Sequence, residues 1–311
     1  MAKKPLTYQF HPSMFYTTET NLRRMIGGNL KGVSRREMIQ DISRSEPYFH
    51  TSLNFIVFSE DLAYERSARE VILPEGPEIY HELLQAKYTM SSAKGFSLPF
   101  SSFVLCMPKG FEMEGVEIPA CLVTYSDYRS SPEKIIYPFS DYINAPRPQV
   151  GLSESSENSN YLSITYLEPG TISYARVMAV DDDLPKILSA ETPEACRDAI
   201  GDYGFFDRLT SMNEKDMIIQ FYLMKLVSSI GIYLIANQQQ GLKSGFPGKL
   251  PPKFLDRDPA FSIRMNTLLN KPPVETFVEK PQAARWHFSQ EQRGDYNGSS
   301  MDNIKLDWLR D

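Results

Sequence analysis

Arginine, histidine and aromatic side chains are concentrated at the C-terminal end of the chain. Residues 280–311 contain Arg285, Trp286, His287, Phe288, Arg293, Tyr296 and Trp308, and so hold both tryptophans of the sequence. Arginine offers charged hydrogen bonds in a rigid fork, and aromatic rings bring large apolar area. Together they anchor protein–protein interfaces, and the same groups stack on nucleic-acid bases. Arg285, Trp286, His287, Arg293 and Tyr296 are therefore the candidate partner-binding residues. The segment also suits a terminal β-tail packed on its own domain, with Asp295-Tyr296-Asn297-Gly298 as its turn. The two readings are compatible.

A second candidate surface lies at the other end. Residues 1–46 hold eight Lys and Arg against four acids, a net of +4, which leaves −10 on the remainder of a chain whose total is −6. Residues 19–30 and 34–45 read as two short helices separated by Lys31-Gly32-Val33. Ser34 and Glu37 have the spacing of a capping box, in which each satisfies the other's free amide. Arg23, Arg24, Arg35 and Arg36 make this hairpin a candidate nucleic-acid-binding element of the helix-turn-helix kind. An ordinary hairpin with solvated arginines fits the same residues. The overall acidity argues against a general polyanion-binding surface.

Catalytic signatures are sparse. The four histidines, His11, His50, His81 and His287, form no i, i+4 pair, and no nucleophile elbow, P-loop or dinucleotide fingerprint occurs. Asp181-Asp182-Asp183 resembles a metal cluster, but adjacent side chains diverge, and Asp183 reads as the N-cap of a helix over 184–188. Cys196 has only Arg197 beside it and reads as a structural thiol. The expectation is a non-enzymatic protein without cofactor or metal. A hydrolase or nuclease assembled only in the fold, from Asp181, Asp183, His50, His81 and His287, is the least favoured alternative.

These residues need elements to position them. The strongest is residues 213–240, apolar on nearly every face from Ile218 to Ala236. Asn213 is placed to cap it, with Glu214 and Asp216 at the positive end of its dipole. Its length invites a membrane-spanning reading, but Lys225 near its centre and the missing basic flank favour a buried helix of a soluble domain. Residues 103–107, 120–125, 161–167 and 172–180 alternate as strands. The first two suggest a hairpin with a long tip, and the last two turn at Glu168-Pro169-Gly170-Thr171. Residues 146–160 read as a polar excursion. Residues 47–94 read as helical, Thr192-Pro193 opens a helix, residues 241–253 read as a loop, and a last helix is expected over about 259–269.

The predicted fold class is α+β, with an antiparallel sheet of about four strands packed on the long helix. Residues 1–94 form a helical N-terminal subregion and residues 95–311 the core with its tail, as one continuous domain. Three cysteines without metal spacing, and an N-terminus lacking an apolar signal core, predict a reduced cytoplasmic protein.

The order of these parts resembles the type V anti-CRISPR proteins and their relatives in phages and plasmids. The shared features are a helical head, a strand introduced by Leu98-Pro99-Phe100, a second over 120–125, a long apolar helix and a Pro-rich Arg/aromatic tail. Arg285-Trp286-His287 matches the beginning of that family's tail motif, and Trp308 stands as its late tryptophan. Where the family continues with Arg-Arg-Gly-His, this chain has Ser289-Gln290-Glu291-Gln292, and its Arg293-Gly294 is displaced. The resemblance implies a mobile-element protein that binds a host protein, either a defence-system component or its nascent peptide, inside a bacterial cell.

Overall fold

Residues 214–236 form the helix around which the other elements gather. The computed structural model describes residues 8–16, 20, 34, 37, 60–65, 67–86, 98–126, 161–171, 174–180, 183–200, 213–236, 241–247, 263–269, 286–288 and 306–308. The helical head and the 146–160 excursion fall largely outside them. The Ser34–Glu37 box is present: Ser34 N–H donates to the Glu37 carboxylate at 2.9 Å, and Glu37 N–H donates to the Ser34 hydroxyl at 3.2 Å. Hydrogen bonds to the carboxylate from the Ser34 backbone N–H and side chain hold the exposed Glu37 carboxyl below its ordinary range.

Seven strands form one mixed sheet. In chain order its members are β2 (Glu70–Pro74), β3 (Ser102–Leu105), β7 (Cys121–Ser126), β8 (Tyr161–Leu167), β9 (Tyr174–Val180), β10 (Leu242–Ser244) and β11 (Arg264–Leu268), arranged β10-β11-β2-β3-β7-β8-β9. The smaller strands are β1 (Tyr8–Gln9), β4 (Met107–Pro108), β5 (Glu112–Met113), β6 (Val116–Glu117), β12 (Trp286–Phe288) and β13 (Leu306–Trp308). The four expected strands are there, and β3-β7-β8-β9 are antiparallel throughout. The β8–β9 turn closes as expected, with Thr171 N–H donating to Glu168 O at 3.1 Å and Gly170 at φ +78°. Glycine reaches that left-handed conformation without a Cβ penalty.

The other half of the sheet departs from expectation in three places. Residues 70–74 are a strand rather than helix, and residues 264–268 are a strand where a helix was expected. These two pair parallel to one another, and β2 also pairs parallel to β3, so the sheet is mixed rather than antiparallel. Leu242–Ser244, expected as loop, adds the outer antiparallel strand. All five residues of β2 are buried. A strand covered on both faces loses the alternation that marks a half-exposed one, and a short apolar run then reads equally as helix. The β2–β3 pair draws the sheet from both sides of residue 94.

Beside the 3-10 turn Pro12–Met14 and the helical residues 60–65, the described helices are α1 (Pro77–Gln85), α2 (Leu184–Ser189), α3 (Pro193–Ile200) and α4 (Glu214–Ala236). α1 is the crossover that parallel β2 and β3 require. Thr192 caps α3 as expected, accepting from Ala195 N–H at 3.2 Å. At α4, Asp216 N–H donates to Asn213 Oδ1 at 3.0 Å, and Asn213 N–H donates back to Asp216 at 3.3 Å, a reciprocal box. Asp183 occupies the cap position of α2 but makes no cap bond, pairing instead with Lys186 at 2.9 Å.

α4 lies on one face of the sheet against Ile72, Phe103, Leu105, Val123, Ile164 and Val177, with α1, α2 and α3 around it. By length and composition residues 214–234 are long and apolar enough to cross a membrane, yet every residue from Ile218 to Leu234 is buried inside the fold. Lys225 does not break the packing, because its Nζ donates to Ala190 O at 2.6 Å. A smaller core of Tyr8, Met14, Tyr64, Val71, Leu73, Val104, Cys106 and Leu122 covers the opposite face.

Candidate functional site

The C-terminal residues favoured by sequence are placed only in part. β12 pairs antiparallel with β13, setting Trp286 opposite Trp308, His287 opposite Asp307 and Phe288 opposite Leu306. This two-stranded sheet is separate from the seven-stranded one. Arg285, Arg293 and Tyr296 lie outside the described residues, as do Arg23, Arg24, Arg35 and Arg36.

Among the described residues, the largest polar constellation sits on the sheet face opposite α4. On β8 the side chains alternate: Leu162, Ile164 and Tyr166 face the long helix, so Ser163 and Thr165 face the other way. Arg176 of β9 is directly opposite Thr165 and shares that face. The helical turn at residues 60–65 covers them with Glu60. Both Ser163 and Thr165 hydroxyls donate to the Glu60 carboxylate. Arg176 Nε donates to Glu60 Oε1 at 2.8 Å and to Ser163 Oγ at 2.9 Å. Glu60 and Arg176 are about as buried as the apolar core, at 5% and 4% exposure.

The arrangement is charge-paired, hydrogen-bonded and closed to solvent. A carboxylate that accepts from two hydroxyls and a guanidinium has its lone pairs engaged, and such a group anchors its neighbours. Its chemistry is to bind residues 60–65 to β8 and β9. Sequence reading passed over it. The signal was an arginine inside the otherwise apolar run Tyr174–Val180, two strands' alternation exposing Ser163 and Thr165 beside it. Nothing local marked Glu60 as its partner.

No protein-family model, curated protein or solved structure matches the chain. Its function must be argued from its own residues.

Of the residues named for hydrolytic chemistry, His81 and Asp183 are described, and each has a partner of its own. His11 is buried beside Tyr174, its Nδ1 accepting from Ser13 N–H at 3.3 Å. Burial pushes its pKa down to about 3, so the ring is neutral, and with Nδ1 accepting, the proton sits on Nε2. His81 packs against Phe111 in a tilted pair, with ring centroids 4.7 Å apart. Asp183 is taken by Lys186. His50 and Asp181 lie outside the described residues, and of His287 only the strand position is known. Among the described residues no group of three or more His, Cys, Asp or Glu could hold a metal ion. Cys106, Cys121 and Cys196 are buried free thiols. Burial pushes the Cys196 thiol up to about 12 despite the opposing pull of Lys225, which suits the structural role expected of it.

Proposed function

We propose that this chain is a non-enzymatic protein of a phage or plasmid that binds a host protein and so counters a bacterial defence system. The partner is a defence component or its nascent peptide, met in the cytoplasm of the bacterial host. The observation that carries the reading is the register of the C-terminal strands. It sets Trp286 opposite Trp308 and His287 opposite Asp307, on a two-stranded element outside the main sheet. Short ribbons carrying aromatic and arginine anchors suit protein recognition, where a few such residues dominate the binding energy. In this reading the arginines supply charged hydrogen bonds and the aromatics apolar contact area. The likeness of Arg285-Trp286-His287 and the layout to the anti-CRISPR family supports the class of target.

The test is affinity capture of the tagged full-length chain from bacterial lysate, with and without nuclease, and mass spectrometry of what is retained. One or two host proteins that survive nuclease and are lost with an Arg285→Ala/Trp286→Ala variant support the proposal. Capture that disappears with nuclease transfers the function to Arg23, Arg24, Arg35 and Arg36 and to nucleic acid, with a steep fall in binding as salt rises.

A further inference from the structure

The face that carries Glu60 and Arg176 also carries a row of hydroxyls. Ser102 on β3 is directly opposite Thr124 on β7, and Thr124 is directly opposite Ser163 on β8. Directly opposed residues share one face of a sheet, with Cβ atoms about 5 Å apart. All three are buried, at 3%, 4% and 2% exposure.

Their hydrogen bonding is unequal. Ser163 donates to Glu60 and accepts from Arg176 Nε, which leaves one lone pair on its oxygen. Among the described residues, Ser102 Oγ and Thr124 Oγ1 meet no partner. Leaving a buried hydroxyl unsatisfied is destabilising, and two neighbours doing so on one face call for a shared partner. Charge restricts what that partner is. Arg176 is bonded to Ser163, which disfavours a cation. The Glu60 carboxylate, already accepting from Ser163, Thr165 and Arg176, disfavours an anion. A small neutral group with both donors and acceptors remains.

We infer that one ordered water is bound in this row, bridging the hydroxyls of Ser102 and Thr124. Two oxygens on opposed residues can each reach a point between them, and two partners lie within the range of two to four that buried waters make. The water joins β3 to β7 on the same face on which the Glu60–Arg176 bonds join β8 to β9.

A double-mutant cycle with Ser102→Ala and Thr124→Val tests this, read as urea-denaturation midpoints. The two hydroxyls do not touch, so coupling between them reports the shared bridge. Each single variant is expected to lower the midpoint, and the double variant to lower it no further than the worse single one. Single variants at or above the wild-type midpoint, or losses that add, overturn the inference. A high-resolution crystal structure of the wild-type chain gives an independent reading if either variant fails to fold. Density within about 3 Å of both hydroxyl oxygens supports the water, and close-packed protein there with no such density rejects it.

Discussion

Arg176 and Glu60 are 116 residues apart in the chain, yet the guanidinium Nε and carboxylate Oε1 are 2.8 Å apart in the fold. Both are buried, and the pair ties residues 60–65 to the last two strands of the sheet. Removing one partner from such a pair leaves a buried charge uncompensated. Glu60→Gln is therefore expected to cost about 3–5 kcal/mol, measured by urea denaturation. Adding Arg176→Met to it should restore much of the loss, since removing both charges leaves none stranded. A Glu60→Gln variant as stable as wild type would remove the anchor role.

His11 gives stability a dependence on acid. Its folded pKa of about 3 lies below the ordinary value of 6.5 because burial disfavours the charged ring. The sign follows from proton binding: below about pH 6.5 the unfolded chain takes up a proton that the folded chain refuses. Stability from this group is complete above that pH and declines by about 1.4 kcal/mol per pH unit on the way down, levelling near the folded value. His11→Asn keeps a capping side chain and removes the titration. Between about pH 7 and about pH 5 the wild type should lose about 2 kcal/mol more than the variant. Parallel pH profiles for the two proteins would assign the dependence elsewhere.

Gly241, just beyond α4, is fixed by its neighbours. A Cβ there would lie 2.6 Å from Tyr233 Cε1 and 3.1 Å from Leu234 Cδ2, while its carbonyl accepts from Leu269 N–H at 2.9 Å. Gly241→Ala should cost about 1–3 kcal/mol through overpacking and lower the melting temperature. In a Tyr233→Leu background the same change should cost less, because the nearest ring atom is gone. Equal losses in both backgrounds would place the strain in the backbone instead.

The proposed partner site predicts a separation of folding from binding. Arg285→Ala/Trp286→Ala is expected to leave the circular dichroism spectrum and melting temperature unchanged. Affinity for the captured host protein should fall about 30-fold or more, the effect of losing about 2 kcal/mol at an interface anchor. A folded double variant with full affinity would sink the assignment of Arg285 and Trp286.

Local chemistry was enough to determine several elements. The apolar run after Asn213, the reciprocal boxes at Ser34 and Asn213, the Thr192 cap and the Glu168–Thr171 turn depend on groups within three or four residues of each other. The alternation in Tyr161–Leu167 also marked which side chains share a face, since a strand's side chains change sides at every residue. What only the tertiary structure decided were relationships between distant segments. β2 and β11 are strands because they pair with each other and, for β2, with β3, and that pairing overrides a run that locally suits a helix. Glu60 and Arg176 meet because helical residues 60–65 settle on a face built from β8 and β9. No spacing in the sequence encodes that meeting, because the two groups come together only once the sheet exists, and either charge buried there without the other would be costly.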